Sequence, residues 1–208
     1  KWAMGESNKK VRFEACQEQA VEIADLATTF DEDGIRVYTF AGQGRWTRTD
    51  HVTGDKVVDI FEQNKPRGGT YCLEILRDCF MDYLSRRGQA EQSGAQLPPG
   101  ERLIIFTDGC ASDKKEIALE IASFTTQLRH PQEFRISFVI VLEKDDSNDE
   151  YREVKEYVEY LDDTLMKKGA KDVNGNRIKA RFDIVDCKSL KWVEKHSSKR
   201  FFKEMMID

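Results

Sequence analysis

The segment Glu101-Arg102-Leu103-Ile104-Ile105-Phe106-Thr107 stops abruptly at Asp108 and Gly109, so an apolar run delivers a carboxylate to the point where the chain turns. A run this short and this uniformly apolar reads as a central parallel strand covered on both faces. Ligands of open α/β sheets bind just beyond the carboxyl ends of such strands, which makes Asp108 a candidate binding residue. The plainer reading, a strand-terminating Asp-Gly turn, stands beside it. The second feature is Gly68-Gly69-Thr70, which comes directly after Pro66-Arg67. A glycine pair before a helix permits a tight turn or leaves backbone N–H groups open to an anion.

Other chemistries find little footing. The glycine pair lacks the Gly-Lys-Ser/Thr ending of a nucleotide-binding loop, and Gly42-Gln43-Gly44 lacks the third glycine of a dinucleotide fingerprint. No serine occupies a Gly-x-Ser-x-Gly elbow. His51, His130 and His196 are scattered, which fits surface or capping roles better than ligation or proton transfer. Cys16, Cys72, Cys79, Cys110 and Cys187 form no Cys-x-x-Cys pair, so reduced thiols are the simplest account. Cys79 lies one turn from Leu76 and reads as a small core residue. Cys110 borders the Asp108 edge but has no evident histidine partner.

The elements that position these residues emerge from periodicity. Phe13, Cys16, Ala20, Ile23, Ala27 and Phe30 carry the three-four spacing of an amphipathic helix, which Asp31-Glu32-Asp33-Gly34 breaks. Ile35 to Phe40 is then a strand, residues 45–48 a short polar edge strand, and Thr53 is placed to cap a helix through Phe61. Leu73, Leu76, Phe80 and Leu84 mark the helix after Thr70, and residues 88–100, rich in Gln, Gly and Pro, read as a solvated linker. Beyond Asp108 come a helix with Ile117, Ile121, Phe124 and Leu128, a strand over residues 134–142, and an acidic loop over residues 143–150. A helix over residues 153–166, a strand over residues 182–185 and a basic, aromatic helix near residues 201–206 complete the chain. Alternating strands and helices predict an α/β domain over residues 1–208, doubly wound, with a mostly parallel sheet flanked by helices on both faces.

Composition narrows the partners. The chain has 208 residues, 34% of them charged, and a formal net charge of −5, a balance unsuited to phosphate backbones. No stretch approaches the roughly 20 apolar residues that span a bilayer, and no signal-peptide core appears near the start. The expectation is a cytoplasmic protein with neither nucleic acid nor membrane as partner. Because the sequence opens at Lys1 and not at methionine, the natural amino terminus is expected to lie upstream.

In order and spacing, the helix over residues 13–30, Asp31-Glu32-Asp33-Gly34-Ile35-Arg36-Val37-Tyr38-Thr39-Phe40, Gly68-Gly69-Thr70 and Thr107-Asp108-Gly109 resemble the von Willebrand factor A family, in the short, stand-alone intracellular style found in bacteria. The resemblance spans nearly the whole chain. It implies a Rossmann-like fold and a metal-ion-dependent adhesion site at the carboxyl edge of the sheet, built from three loops. Thr70 matches the threonine of the second loop and Asp108 the aspartate of the third. The Asp-x-Ser-x-Ser of the first loop is not in this sequence, and the resemblance places it upstream of Lys1, with residues 1–12 as a loop leading into the first helix. The strand before that motif is then expected upstream or from another chain.

Hydroxyl and carboxylate oxygens suit Mg²⁺, or Mn²⁺ or Ca²⁺ in its place, and a partly neutralised cation attracts an acidic side chain. The resemblance therefore implies a non-enzymatic module that binds an acidic residue of a protein partner, within assemblies of several proteins. Two other readings stay open: an α/β phosphoryl-transfer enzyme using Asp108, and an assembly protein that keeps the fold without the metal. The segment 188–203, with Trp192, Phe201 and Phe202 among lysines and arginines, reads as a core-packed terminal helix with a charged outer face.

Overall fold

A computed structural model describes residues 4–29, 33–64, 69–142 and 149–207. Helix α1 (Met4–Thr28) contains no proline and, past Gly5, no glycine. Gly34 then turns the chain at φ +80°, where a Cβ would lie 2.6 Å from the Val52 carbonyl oxygen, so only glycine fits. Strands β1 (Ile35–Ala41) and β2 (Arg45–Val52) pair as an antiparallel hairpin from Ile35↔Val52 to Ala41↔Arg45. Helices α2 (Gly54–Gln63) and α3 (Leu73–Ser93) come next, and Gly94 closes α3 in the left-handed conformation.

The second half supplies β3 (Glu101–Thr107), α4 (Lys114–Thr125), β4 (Phe134–Ile140) and α5 (Asp149–Glu159). A π-helical turn (Tyr160–Thr164) leads into the single turn α6 (Leu165–Lys168). A two-residue pair, β5 (Ala170–Lys171) with β6 (Arg177–Ile178), precedes β7 (Val185–Ser189), α7 (Leu190–His196) and α8 (Ser198–Ile207).

Strands β3, β4 and β7 form a parallel sheet in that order. Its side chains alternate as the pleat requires. Ile105, Phe134, Ile136, Phe138 and Ile140 pack toward α3, α4 and α5, while Ile104, Phe106, Val139 and Val141 pack toward α1, α7 and α8. The chain is thus a mixed α/β protein whose parallel sheet is flanked by helices on both faces. On the first face Phe80 stacks on Phe124 at 3.7 Å, and both meet the edge of Phe134 at 5.2 Å.

The hairpin lies in the same layer but apart from this sheet. Tyr38 and Phe40 pack toward α3, whereas Ile35 and Val37 pack with α1 and α2. Helix α3 sets the relative directions of the strands. Its first residue meets the loop after β3, with Leu73 N donating to Asp113 at 2.9 Å, and near its far end Arg86 pairs with Glu101 at the start of β3. Helix α3 therefore runs against β3. Along β1, Arg36 meets Asp82 at 3.1 Å and Tyr38 meets Asp78 at 2.5 Å, so β1 also runs against α3 and is parallel to β3. Between β1 and β3 lies a cavity of about 1950 Å³, walled by α1 and α3. The cavity opens to solvent and is lined by charged as well as apolar side chains.

Several sequence expectations shift. The helix at the start begins at Met4, not Phe13, so residues 4–12 are helical where a loop was expected. The linker expected from Gly88 is helix as far as Ser93, because Ala90 is buried and Arg87 pairs with Glu133 at 2.9 Å; the coil is confined to residues 95–100. The last strand lies at Val185–Ser189, three residues later than expected. The strand over residues 134–142 ends at Ile140, and the polar edge strand extends to Val52. In place of one continuous doubly wound sheet, the described residues form a three-stranded parallel sheet, a separate two-stranded hairpin and a two-residue pair. Phe30, the first two residues of the breaker (Asp31 and Glu32), Gly68 and most of the acidic loop lie outside the described residues.

Candidate functional site

Strand β3 carries Asp108 to the carboxyl edge, and a compact turn fixes the backbone on either side of it. The Thr107 hydroxyl donates to the Gly109 carbonyl at 2.6 Å and accepts from the Gly109 N–H at 3.3 Å. The loop before α3 is laced to the loop after β3. Ser112 N donates to the Thr70 carbonyl at 2.9 Å, and Asp113 accepts from Leu73 N, satisfying one orphan donor of the α3 amino terminus that no side chain of its own caps.

This lacing brings Thr70 beside Asp108. A Cβ on Gly109 would stand 3.7 Å from the Thr70 hydroxyl oxygen, so that hydroxyl faces the residue next to Asp108. Both Thr70 and Asp108 line the cavity where it opens at this edge, together with Ser112 and Lys114. Helix α1 reaches the same place. The Cys16 thiol is pushed up to about 12 by burial and, second, by the negative charge of Asp108.

Helix α5 closes one flank. Glu153 accepts from Lys114 at 2.8 Å, the Tyr157 hydroxyl donates to the Lys114 carbonyl at 3.0 Å, and the Cys110 thiol approaches the Glu153 carbonyl at 3.5 Å. Burial raises the Cys110 thiol, with Glu153 adding to it, and burial pushes the Cys72 thiol up to about 12. These cysteines stay protonated near neutrality, which is the wrong state for a nucleophile.

Thr70 and Asp108 offer one hydroxyl and one carboxylate oxygen, donors of the kind that suit a hard cation such as Mg²⁺. Among the described residues no group of three or more His, Cys, Asp or Glu could hold a metal ion. The described donors thus fit a hard cation in kind, and two protein oxygens leave most of an octahedron to water or other ligands.

Two residues here were missed from the sequence. Ser112 and Asp113 tie the two loops together, and Asp113 Oδ1 is a buried carboxylate oxygen with no hydrogen-bond partner among the described residues. Their signal was a Ser-Asp pair directly before a helix, which reads as ordinary capping. The histidines take up local roles. His51 meets the Asp33 carbonyl at 3.2 Å, His130 accepts from Gln132 N at 3.2 Å, and His196 stacks on Trp192 at 4.4 Å. Gly42 and Gly44 form the β1–β2 turn, with Arg45 N donating to the Gly42 carbonyl. Phe201 is fully buried, and Lys188 and Arg200 lie over the Trp192 ring, so the terminal segment is packed as expected.

No family model matches the chain, and no curated protein does. Among the described residues no helix is long and apolar enough to cross a membrane.

Proposed function

We propose that this chain is a protein-binding module of the von Willebrand factor A type, with the doubly wound fold of that family and its ligand edge at Thr70 and Asp108. The observation that carries the reading is the approach of the Thr70 hydroxyl to the turn after Asp108, which brings two hard oxygen donors from separate loops to one sheet edge. A Mg²⁺ bound there would supply positive charge left partly unneutralised by its protein ligands. The chain's own residues do the rest. Thr70 and Asp108 hold the cation, the laced loops keep both donors in place, and an acidic side chain of a protein partner completes the contact.

Isothermal titration with Mg²⁺ tests this. Asp108→Ala should weaken the affinity at least about tenfold, as expected for loss of a charged ligand. Circular dichroism should stay unchanged, because Asp108 lies past the end of β3. Equal affinity in both proteins would sink the site.

A further inference from the structure

We propose that the cavity between β1 and β3 is a strand-accepting slot, filled by an extended apolar peptide of about seven residues that runs parallel to both strands and hydrogen-bonds along them. The length matches its walls, since β1 and β3 each have seven residues.

Strand β3 presents an edge to the slot. Its Thr107 carbonyl accepts from Val141 N of the neighbouring segment at 2.9 Å. In a parallel pair a residue's N–H and C=O point the same way and alternate residues point oppositely. Ile104 and Phe106 therefore direct their backbone groups away from β4 and into the slot. On the far side, β1 runs in the same direction and lies between the same two helix layers, with Tyr38 and Phe40 toward α3 and Ile35 and Val37 toward α1 and α2. One strand placed between them would join the hairpin and the three-stranded sheet into a single sheet.

The helix walls state what its side chains must be. Cys16, Ala20 and Ala27 line the slot from α1, and Cys72 and Cys79 from the α3 side. Phe13 and Ile23 of α1 and Ile75 of α3 line it between them, so both faces are apolar walls with small residues interspersed, which suits apolar side chains pointing alternately to each helix. The volume points the same way. About 1950 Å³ is roughly twice the upper end of the 300–1,000 Å³ typical of small-molecule sites, so polypeptide fits where a metabolite would rattle. A strand parallel to β3 leaves the slot at the Asp108 end, which the first half of α1 also reaches, as the charge of Asp108 on Cys16 shows. The inference needs no cation at Thr70 and Asp108, so it stands or falls separately from the proposed function.

The test joins an alternating Val-Ile heptapeptide to Lys1 through a Gly-Ser linker of about ten residues, whose root-mean-square reach is roughly 17 Å. Amide hydrogen exchange is read at Ile104, at Phe106 and along β1, without metal. Exchange should slow by at least about tenfold relative to the 208-residue chain. A control fusion with proline at every second position, which cannot donate, should leave it unchanged. Unchanged exchange in the Val-Ile fusion overturns the proposal. So does equal slowing with the proline control, which would mean apolar filling without strand pairing. Concentration-dependent slowing in the 208-residue chain alone, with dimer seen by sedimentation, would assign the slot to a second copy and overturn it as well. The same heptapeptide added in trans, carrying two amino-terminal lysines for solubility, must slow the same amides if the fusion aggregates.

Discussion

Around β4 the side chains close directly on one another: Phe80, Phe124 and Phe134 form an aromatic cluster within a continuous apolar core. Around β1 the apolar contacts of Ile35, Val37, Tyr38 and Phe40 are supplemented by a network of ion pairs. Arg36 and Arg48 of the hairpin reach Asp50, Asp78 and Asp82, and Arg86 of α3 bridges Asp82 to Glu101 at the start of β3. The two halves share the α3 helix yet depend on different physics. Apolar burial has no charge to screen or titrate, whereas part-exposed ion pairs are weakened by added salt and by acid.

Breaking the apolar half has the largest effect. Phe134 is fully buried among Phe80, Tyr83 and Phe124, so Phe134→Ala should cost about 3–5 kcal/mol. Urea denaturation should show one earlier transition, equally early at low and high salt.

Asp82→Ala comes next and sharpens the contrast. It removes the acceptor shared by Arg36 and Arg86 and should cost about 1–2 kcal/mol. Hydrogen exchange should rise in β1 and β2 and leave β4 and β7 unchanged, and high salt should mimic the substitution in the parent protein. Acid should act on the same half. Burial pulls Asp82 upward, but donation from Arg86 and Arg36 outweighs it and holds the carboxyl below its usual range. A depressed folded pKa gives stability that is present above the unfolded value near about 4 and lost as pH falls through the folded value. Exchange in β1 should therefore accelerate below about pH 4, before exchange in β4 does.

The smallest effect has the opposite sign. Asp162 in the π-helical turn is raised to about 6 by burial and by Asp186, Asp163 and Asp183. Its folded form binds protons more readily than the unfolded chain between about pH 4 and 6, so it destabilises the native state above that window. Asp162→Asn should stabilise the protein at pH 7 by about 1 kcal/mol, discounted because the carboxyl is half exposed to solvent. The gain should vanish below about pH 4. A gain that persists there would point to packing and not to charge.

The elements that bury a face were legible in the sequence. The β3 and β4 strands and the α3 and α4 helices announce themselves because each must present apolar residues at period two or 3.6. The first turns of α1 were missed because residues 4–12 have no apolar period to read. Strand β7, Val-Asp-Cys-Lys-Ser, hid for a related reason: pairing to β4 makes it a strand, while its sequence looks like a loop. At the candidate edge Thr70 and Asp108 stood out from their glycines, but Ser112 and Asp113 gained meaning only from partners some forty residues away. The ion-pair network was invisible for the same reason, since Arg36 and Asp82 are 46 positions apart.

The packing of Trp192 between His196, Lys188 and Arg200 gives the molecule an optical consequence. Trp46 sits on the hairpin, 6.0 Å from Tyr38, while Trp192 lies against the helices that cover the parallel sheet. Trp192 emission therefore reports the packing of the terminal helices against the sheet, while Trp46 reports the hairpin. Each half of the protein carries its own fluorophore. With Trp2 replaced by phenylalanine, Trp46→Phe and Trp192→Phe would let the two be watched unfolding apart.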